Sequence, residues 1–115
     1  MAEVDVTKQL FDPSNLDVSA ANINTGASYT GAWVFCGGFD RIRFTAIADQ
    51  ILQVHVEFSN DGANIDAISL EYETTGVTIG DGWDAAVYAR YCRLVADNAS
   101  GVNTTSCRLG LRGAR

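Results

Sequence analysis

The sequence predicts an all-β fold, an antiparallel, jelly-roll-like β-sandwich of about eight strands. Short runs of residues alternate between apolar and polar side chains, which is the pattern of strands with one buried face. Eleven glycines fall mostly between these runs, where turns are expected. No longer window carries the i, i+3, i+4, i+7 spacing of an amphipathic helix. At 115 residues, the chain fits one domain with its own core.

The N-terminal segment differs from the rest of the chain. It contains the only proline, Pro13, and few β-branched residues in alternation. We therefore predict an extended N-terminal arm over residues 1–25 and a β-sandwich domain over residues 26–115. Leu10 and Phe11 are adjacent apolar side chains, and we predict that they anchor the arm on this domain or on a neighbouring subunit.

The alternation predicts the strands of the sandwich domain in order. In the strand over 41–48, Ile42 and Phe44 take the inner face, and Arg41 and Arg43 take the outer face. The Gly-rich and Asp-rich stretch GDGWD, residues 80–84, is interpreted as a turn. The predicted strand ranges are 27–30, 32–35, 41–48, 51–59, 67–74, 77–79, 85–88, 91–96 and 105–111.

Residues 54–72, VHVEFSNDGANIDAISLEY, show the clearest hairpin pattern. Pairing Phe58 with Asp66 sets Val56 opposite Ile68, and apolar side chains of both strands then share the inner face. A slip of one residue would turn one strand's apolar side chains outward, so the pattern favours this register.

The last two predicted strands are interpreted as a second hairpin. Its register stays open, because several registers keep Cys92 and Cys107 inside. Arg93 and Arg108 then lie outside, where stacking with Tyr91 across the strands is expected. The three cysteines lack metal-ligand spacing, and in a reducing compartment we expect free, buried thiols.

The charge and the kind of basic residue restrict the partners. A net charge of −6 disfavours nucleic acid, whose phosphates need a basic patch. Seven of the eight basic residues are arginines, and Lys8 is the exception. Protein interfaces are enriched in Arg and depleted in Lys, but codon usage could produce the same composition, and both explanations stay open. The residues that we predict at an interface are Leu10, Phe11, Arg41, Arg43, Arg93 and Arg108.

The start of the chain lacks the basic and apolar regions of a signal peptide. No apolar run reaches the ~20 residues of a membrane helix. We therefore expect no membrane partner, and a protein that stays in a cytoplasm or is carried in a particle assembled there.

Candidate reactive groups are few. His55 is the only histidine, on the outer, solvent-facing side of its predicted strand and beside Glu57. No nucleophile, second histidine or metal-ligand spacing accompanies it. We therefore expect no enzymatic activity, no metal and no cofactor. Calcium is an alternative raised by four aspartates, but their loops lack the twelve-residue calcium pattern and are better interpreted as turns. They are Asp61, Asp66, Asp81 and Asp84.

Exposed aromatic rings would allow the stacking of sugars. The candidates are Trp33, Trp83, Tyr29, Tyr88 and Tyr91. We favour the other interpretation, in which Trp33 and Trp83 close the ends of the core, because large aromatic rings dominate core burial.

A series of short motifs runs through the sandwich domain. They are Trp33, Gly38-Phe39-Asp40, Ala48-Asp49-Gln50, Val56-Glu57-Phe58-Ser59-Asn60-Asp61-Gly62, Ala89-Arg90-Tyr91-Cys92-Arg93-Leu94, Asn98 and Arg108-Leu109. Together they resemble a small β-sandwich module of tailed-bacteriophage virion proteins and related prophage proteins. The likeness extends over about residues 26–112. Cys92 stands where Val or Phe is more usual, which is a conservative departure.

The resemblance implies a structural role. The module occurs in capsid decoration proteins, head fibres and tail components, and its motif residues carry no catalytic role. The short chain favours a capsid decoration (cement) protein, which would bind and stabilise the assembled phage head as a symmetric oligomer, a homotrimer. Its partner would be the major capsid protein or another virion protein, and it would reside in the virion. The alternative is a host-recognition or carbohydrate-binding module of a phage fibre or spike.

Overall fold

The computed structural model describes the backbone of residues 15–19, and residues 22–78 and 80–115 with their side chains. All regular structure in these residues is antiparallel β-strand, so the predicted all-β sandwich is confirmed. None of the described segments is a helix that could cross a membrane. The strands are β1 (Asn15–Ser19), β2 (Ser28–Thr30), β3 (Val34–Phe35), β4 (Arg41–Ala48), β5 (Gln53–Ser59), β6 (Ala67–Ile68), β7 (Tyr72–Glu73), β8 (Asp81–Ala86), β9 (Tyr91–Asp97) and β10 (Cys107–Ala114).

Two sheets enclose the core. The four-stranded sheet has the order β1-β10-β4-β8, and the six-stranded sheet has the order β2-β9-β5-β6, with β3 also on β9 and β7 also on β5. Each strand sends alternate side chains inward. The largest fully buried side chains are Phe44 of β4 and Phe58 of β5. Leu109 of β10 and Leu94 of β9 belong to the same core cluster. The core therefore lies between the two sheets.

The boundaries of β4 are those predicted, but β8 differs. The stretch GDGWD, expected to be a turn, lies mostly within β8. Trp83 pairs with Phe44 across the ladder between β8 and β4. The indole ring stacks on Tyr72 at 5.4 Å between ring centroids. Burial of this aromatic ring at the edge of the core outweighs the turn propensity of the neighbouring Gly and Asp.

The hairpin after β5 has a different register from the predicted one. Ile68 lies opposite Glu57, and Tyr72 lies opposite Val54. Between these pairs Ser69 bonds to Val56 twice: its backbone N–H donates to the Val56 carbonyl at 2.8 Å, and its hydroxyl accepts from the Val56 N–H at 2.9 Å in place of a backbone carbonyl. Tyr72 packs against the core, as predicted. Ile68 and the neighbouring Leu70 were predicted inward, which is wrong, since they are 57% and 74% exposed.

The predicted second hairpin is also wrong. β9 belongs to the six-stranded sheet and β10 to the four-stranded sheet, so the connection between them crosses the sandwich. Asn98 holds this connection, because its side-chain amide donates to the carbonyls of Ile23 and Val102, both at 2.9 Å. Cys92 and Cys107 therefore lie in different sheets. Both thiols are free and buried, as is that of Cys36, which agrees with the expected state.

Part of the predicted arm contributes to a sheet. β1 pairs with β10, with Val18 opposite Gly110. Ile23 is buried in the core cluster, and its N–H donates to the hydroxyl of Thr104 at 2.8 Å. Leu10 and Phe11 lie outside the described residues, so their anchoring stays a prediction.

The carboxylate of Asp49 caps the turn before β10. It accepts from the hydroxyl and N–H of Thr105 and from the N–H of Ser106, which lowers the pKa of Asp49. Because the pKa is lower in the folded protein, the ionised carboxylate stabilises the fold at pH values above the pKa of an unfolded Asp, about 3.9. This contribution is lost as the pH falls. We expect Asp49→Asn to be less stable at pH 7, with a deficit that shrinks as the pH falls below the unfolded value.

Urea denaturation at pH 7 and at low pH measures this. Asp40→Asn is the control, because the side chain of Asp40 accepts no hydrogen bond from any described residue and its replacement should change little at either pH. A deficit in Asp49→Asn that is independent of pH would contradict the assignment of the effect to the carboxylate charge.

Candidate protein-interaction face

The outer side of the four-stranded sheet brings arginines together. Successive outward positions of β4 hold Arg41 and Arg43, and those of β10 hold Arg108 and Arg112. The ladder places Arg43 directly opposite Arg112. We call these four side chains the arginine face. All four are exposed.

A groove of about 480 Å³ runs between three of these arginines, Arg43, Arg108 and Arg112. Its floor includes Gly110, which lies opposite Thr45 in the ladder. A Cβ atom at position 110 would come within 2.8 Å of the Thr45 hydroxyl oxygen. Because Gly110 has no side chain, the groove reaches down to the backbone between the guanidinium groups.

The charge of this face is opposite to that of the chain. The protein has a net charge of −6. Arg41 is neutralised by Asp84 of β8, the one acid at an outward position of the ladder beside β4. Arg43 and Arg108 form no ion pair within the part of the chain whose side chains are described. In the ladder Arg43 lies between Arg112 of β10 and Asp84 of β8, and an exposed guanidinium group can bind a carboxylate of another chain through two hydrogen bonds.

The predicted interface arginines do not all share one surface. Arg93 lies on the outer side of the six-stranded sheet, where its Nε donates to Glu57 at 2.7 Å. Its guanidinium lies over the ring of Trp33, 4.1 Å from the centroid. The expected stacking of Arg93 and Tyr91 with Arg108 is wrong, because Arg108 belongs to the other sheet. Arg93 is therefore engaged within its own chain.

Sequence reasoning missed Arg112. The predicted strand ended at residue 111, whereas β10 continues to Ala114. Positions 108, 110 and 112 continue one alternating face, so the signal was present in the sequence. The glycines at 110 and 113 obscured it, because glycine is depleted in strands.

His55 and Glu57 were predicted to face solvent, which is wrong. They lie on the outer side of their sheet but are only 9% and 8% exposed. Nε2 of His55 lies 3.1 Å from Glu57, and Nδ1 lies 3.5 Å from Glu71. A histidine that acts as a general base needs a nucleophile within hydrogen-bond reach, whereas these contacts of His55 are both carboxylates.

The four aspartates considered for calcium do not gather at one place. Asp61 accepts from the backbone of Ala63 and Asn64 within its own loop, which holds the pKa of Asp61 well below its ordinary value. Asp66 accepts from the N–H of Asn60, and Asp81 from that of Thr75. Asp61 and Asp66 therefore serve a turn, as interpreted from the sequence. Asp81 and Asp84 belong to β8, where Asp84 pairs with Arg41.

The two tryptophans are both covered on one ring face. Trp83 packs against the edge of the core, between Tyr72 and Phe44. Trp33 lies outside the core, beneath Arg93. The expectation that both close the ends of the core therefore applies to Trp83 alone.

Comparison with known proteins supports the fold. No protein-family model and no curated protein match this chain. Sixteen chains of solved structures do. The crystal structure of PBSX exported protein XepA matches with a TM-score of 0.75 at 13% identity, covering 85% of this chain and only 36% of XepA. A de novo designed double-stranded β-helix, solved by NMR, has a TM-score of 0.45 at 13% identity, covering 84% and 96% of the two chains. The first likeness shows that this chain shares its fold with part of XepA.

Proposed function

We propose that this chain is a structural virion protein, a capsid decoration protein that binds and stabilises the assembled phage head as a symmetric homotrimer. The observation that carries the proposal is the arginine face, a cationic surface on an acidic chain. The shared fold with part of XepA, a phage-derived protein, supports a phage-related origin. The motifs of the sandwich domain resemble those of virion modules.

Weak contacts become sufficient when an oligomer repeats them. Arg binds carboxylates through planar, two-point contacts, and its exposed groups retain a modest energy in water. A symmetric trimer would present three arginine faces to a symmetric shell, so that the second and third contacts form at high effective concentration. The proposed partner surface is therefore acidic and belongs to the major capsid protein or another virion protein.

Charge reversal on the arginine face tests the proposal. We expect the double variant Arg43→Glu and Arg108→Glu to bind emptied heads of the parent phage at least about tenfold more weakly in co-sedimentation, a loss of 1.4 kcal/mol. Both side chains are exposed, so the thermal midpoint should change little. Arg90→Glu is the matched control, because Arg90 is exposed and lies in the connection between β8 and β9.

Other outcomes would contradict the proposal. Wild-type protein that stays in the supernatant when heads are sedimented would show that it does not bind them. Sedimentation velocity showing only monomers would remove the trimer. Specific binding on a glycan array, lost in Trp83→Ala without loss of folding, would favour the sugar-binding alternative instead.

A further inference from the structure

The outer side of the six-stranded sheet holds a histidine with an oriented ring. Nε2 of His55 lies 3.1 Å from one carboxylate oxygen of Glu57, and Arg93 donates to the other at 2.7 Å. The ion pair with Arg93 holds Glu57 as the carboxylate. An ionised carboxylate only accepts, so Nε2 carries a proton.

The other ring nitrogen, Nδ1, lies near two further carboxylates. Nδ1 of His55 is buried and forms no hydrogen bond with any described group. It lies 3.5 Å from a carboxylate oxygen of Glu71, and a carboxylate oxygen of Asp97 completes a set of three atoms within 4.8 Å of one another. The hydroxyl of Ser28 holds Asp97 in place. In the neutral ring Nδ1 is an acceptor, so three acceptors converge, which is unfavourable unless a metal cation or a second ring proton lies among them.

We propose that His55 Nδ1, Glu71 and Asp97 bind a divalent transition-metal ion, for which Zn²⁺ fits best. One imidazole nitrogen and two carboxylate oxygens form a mixed donor set that suits zinc. Tetrahedral coordination at about 2.0 Å would need ligand atoms about 3.3 Å apart. Glu71 can supply the inward movement, because its side chain is 50% exposed. Three protein ligands leave a fourth position for water.

The surroundings of His55 are those of a metal-binding histidine. A carboxylate on the far ring nitrogen fixes the tautomer and raises the basicity of the ligating nitrogen, and Glu57 occupies that position. Arg93, which lies over the ring of Trp33, in turn holds Glu57. The ion would join β5 and β9 to the irregular segment between β6 and β7 that carries Glu71. This site is separate from the arginine face and holds whether or not the protein binds heads.

A single histidine makes the test direct. Zinc is added to the full-length protein at neutral pH, and the two ring nitrogens are followed by ¹⁵N NMR. We expect one equivalent of Zn²⁺ to move the Nδ1 resonance to that of a metal-bound nitrogen while Nε2 keeps its proton. Binding to a cysteine thiolate would leave this resonance unchanged. The thermal midpoint should rise with the Zn²⁺ concentration, because the ion binds the folded state.

Variants separate a metal site from a histidinium ion. Glu71→Gln should weaken Zn²⁺ binding at least tenfold, measured by competition with a chromophoric chelator. Loss of a group that only supports a metal ligand already has an effect of this size. Glu73→Gln is the matched control, because Glu73 is exposed and outside the set. The proposal is overturned if Nδ1 already carries a proton at neutral pH and Zn²⁺ does not displace it. Equal Zn²⁺ affinity in the wild type and Glu71→Gln would also overturn it.

Discussion

Replacing Phe44 by alanine is expected to lower the free energy of unfolding by about 4 kcal/mol. Phe44 is fully buried at the centre of β4. Its ring contacts those of Tyr72 and Trp83, at centroid distances of 5.8 and 5.6 Å. These neighbours belong to different sheets, so the cavity left by the ring would lie between the layers. A close-packed core relaxes only partly around such a cavity.

Equilibrium urea denaturation, followed by tryptophan fluorescence, measures this loss. Phe35→Ala is the matched control, since it removes the same ring from a side chain that is 59% exposed and contacts only the edge of Tyr91 among the aromatic rings described. We expect the control to cost less than about 1 kcal/mol. Equal losses in the two variants would contradict the placement of Phe44 at the centre of the core.

The second large effect is expected from Arg93→Met, at about 3 kcal/mol. The substitution keeps an aliphatic chain over Trp33 but leaves the carboxylate of Glu57, whose side chain is 11% exposed, without its cation. Burial then raises the pKa of Glu57. In the wild type the pKa of Glu57 is lowered, so the ion pair stabilises the fold at pH values above the pKa of an unfolded Glu, about 4.3. This stabilisation is lost as the pH falls. The deficit of the variant should therefore shrink below about pH 4.

A double-mutant cycle isolates this interaction. Adding Glu57→Gln to Arg93→Met removes the unpaired charge, and we expect the double variant to recover at least half of the loss. Arg43→Met is the control and should change the stability by less than about 0.5 kcal/mol, because Arg43 is exposed. If the double variant loses more free energy of unfolding than the two single variants lose together, the ion pair is not the source of the loss in Arg93→Met.

Regular alternation predicted the central strands well. β4 has the predicted bounds, and β5 differs only at its start. Ile42, Phe44 and Val54 lie on the predicted inner faces. Local patterning is sufficient here, because both strands are long and each buries one continuous apolar face.

The failures occurred where pairing partners decide the structure. The one-residue difference at Ile68 arises from the hydrogen bond between Ser69 and Val56, which the apolar pattern does not encode. β9 and β10 are consecutive in the chain, yet each pairs within a different sheet. Adjacency in sequence favours a hairpin, but two stacked sheets also allow a crossover, and packing selects between them.

The candidate sites show the same division. Alternation placed Arg41, Arg43 and Arg108 on outer faces, which the structure retains. Alternation did not show that Arg93 lies on the other sheet from these three arginines. The set at His55, Glu71 and Asp97 was not predicted at all, because its members come from three segments with no characteristic spacing. Single histidines and scattered acids carry little signal by themselves.

From the sequence alone came the all-β class, the inner and outer faces of the long strands, and the concentration of positive charge in arginine. Side-chain alternation of period two determines these properties within each strand, without reference to its neighbours. The tertiary structure decided which strands share a sheet, and so which outward side chains meet. That choice depends on ladder pairing and on close packing between the layers, where residues distant in the chain contribute together.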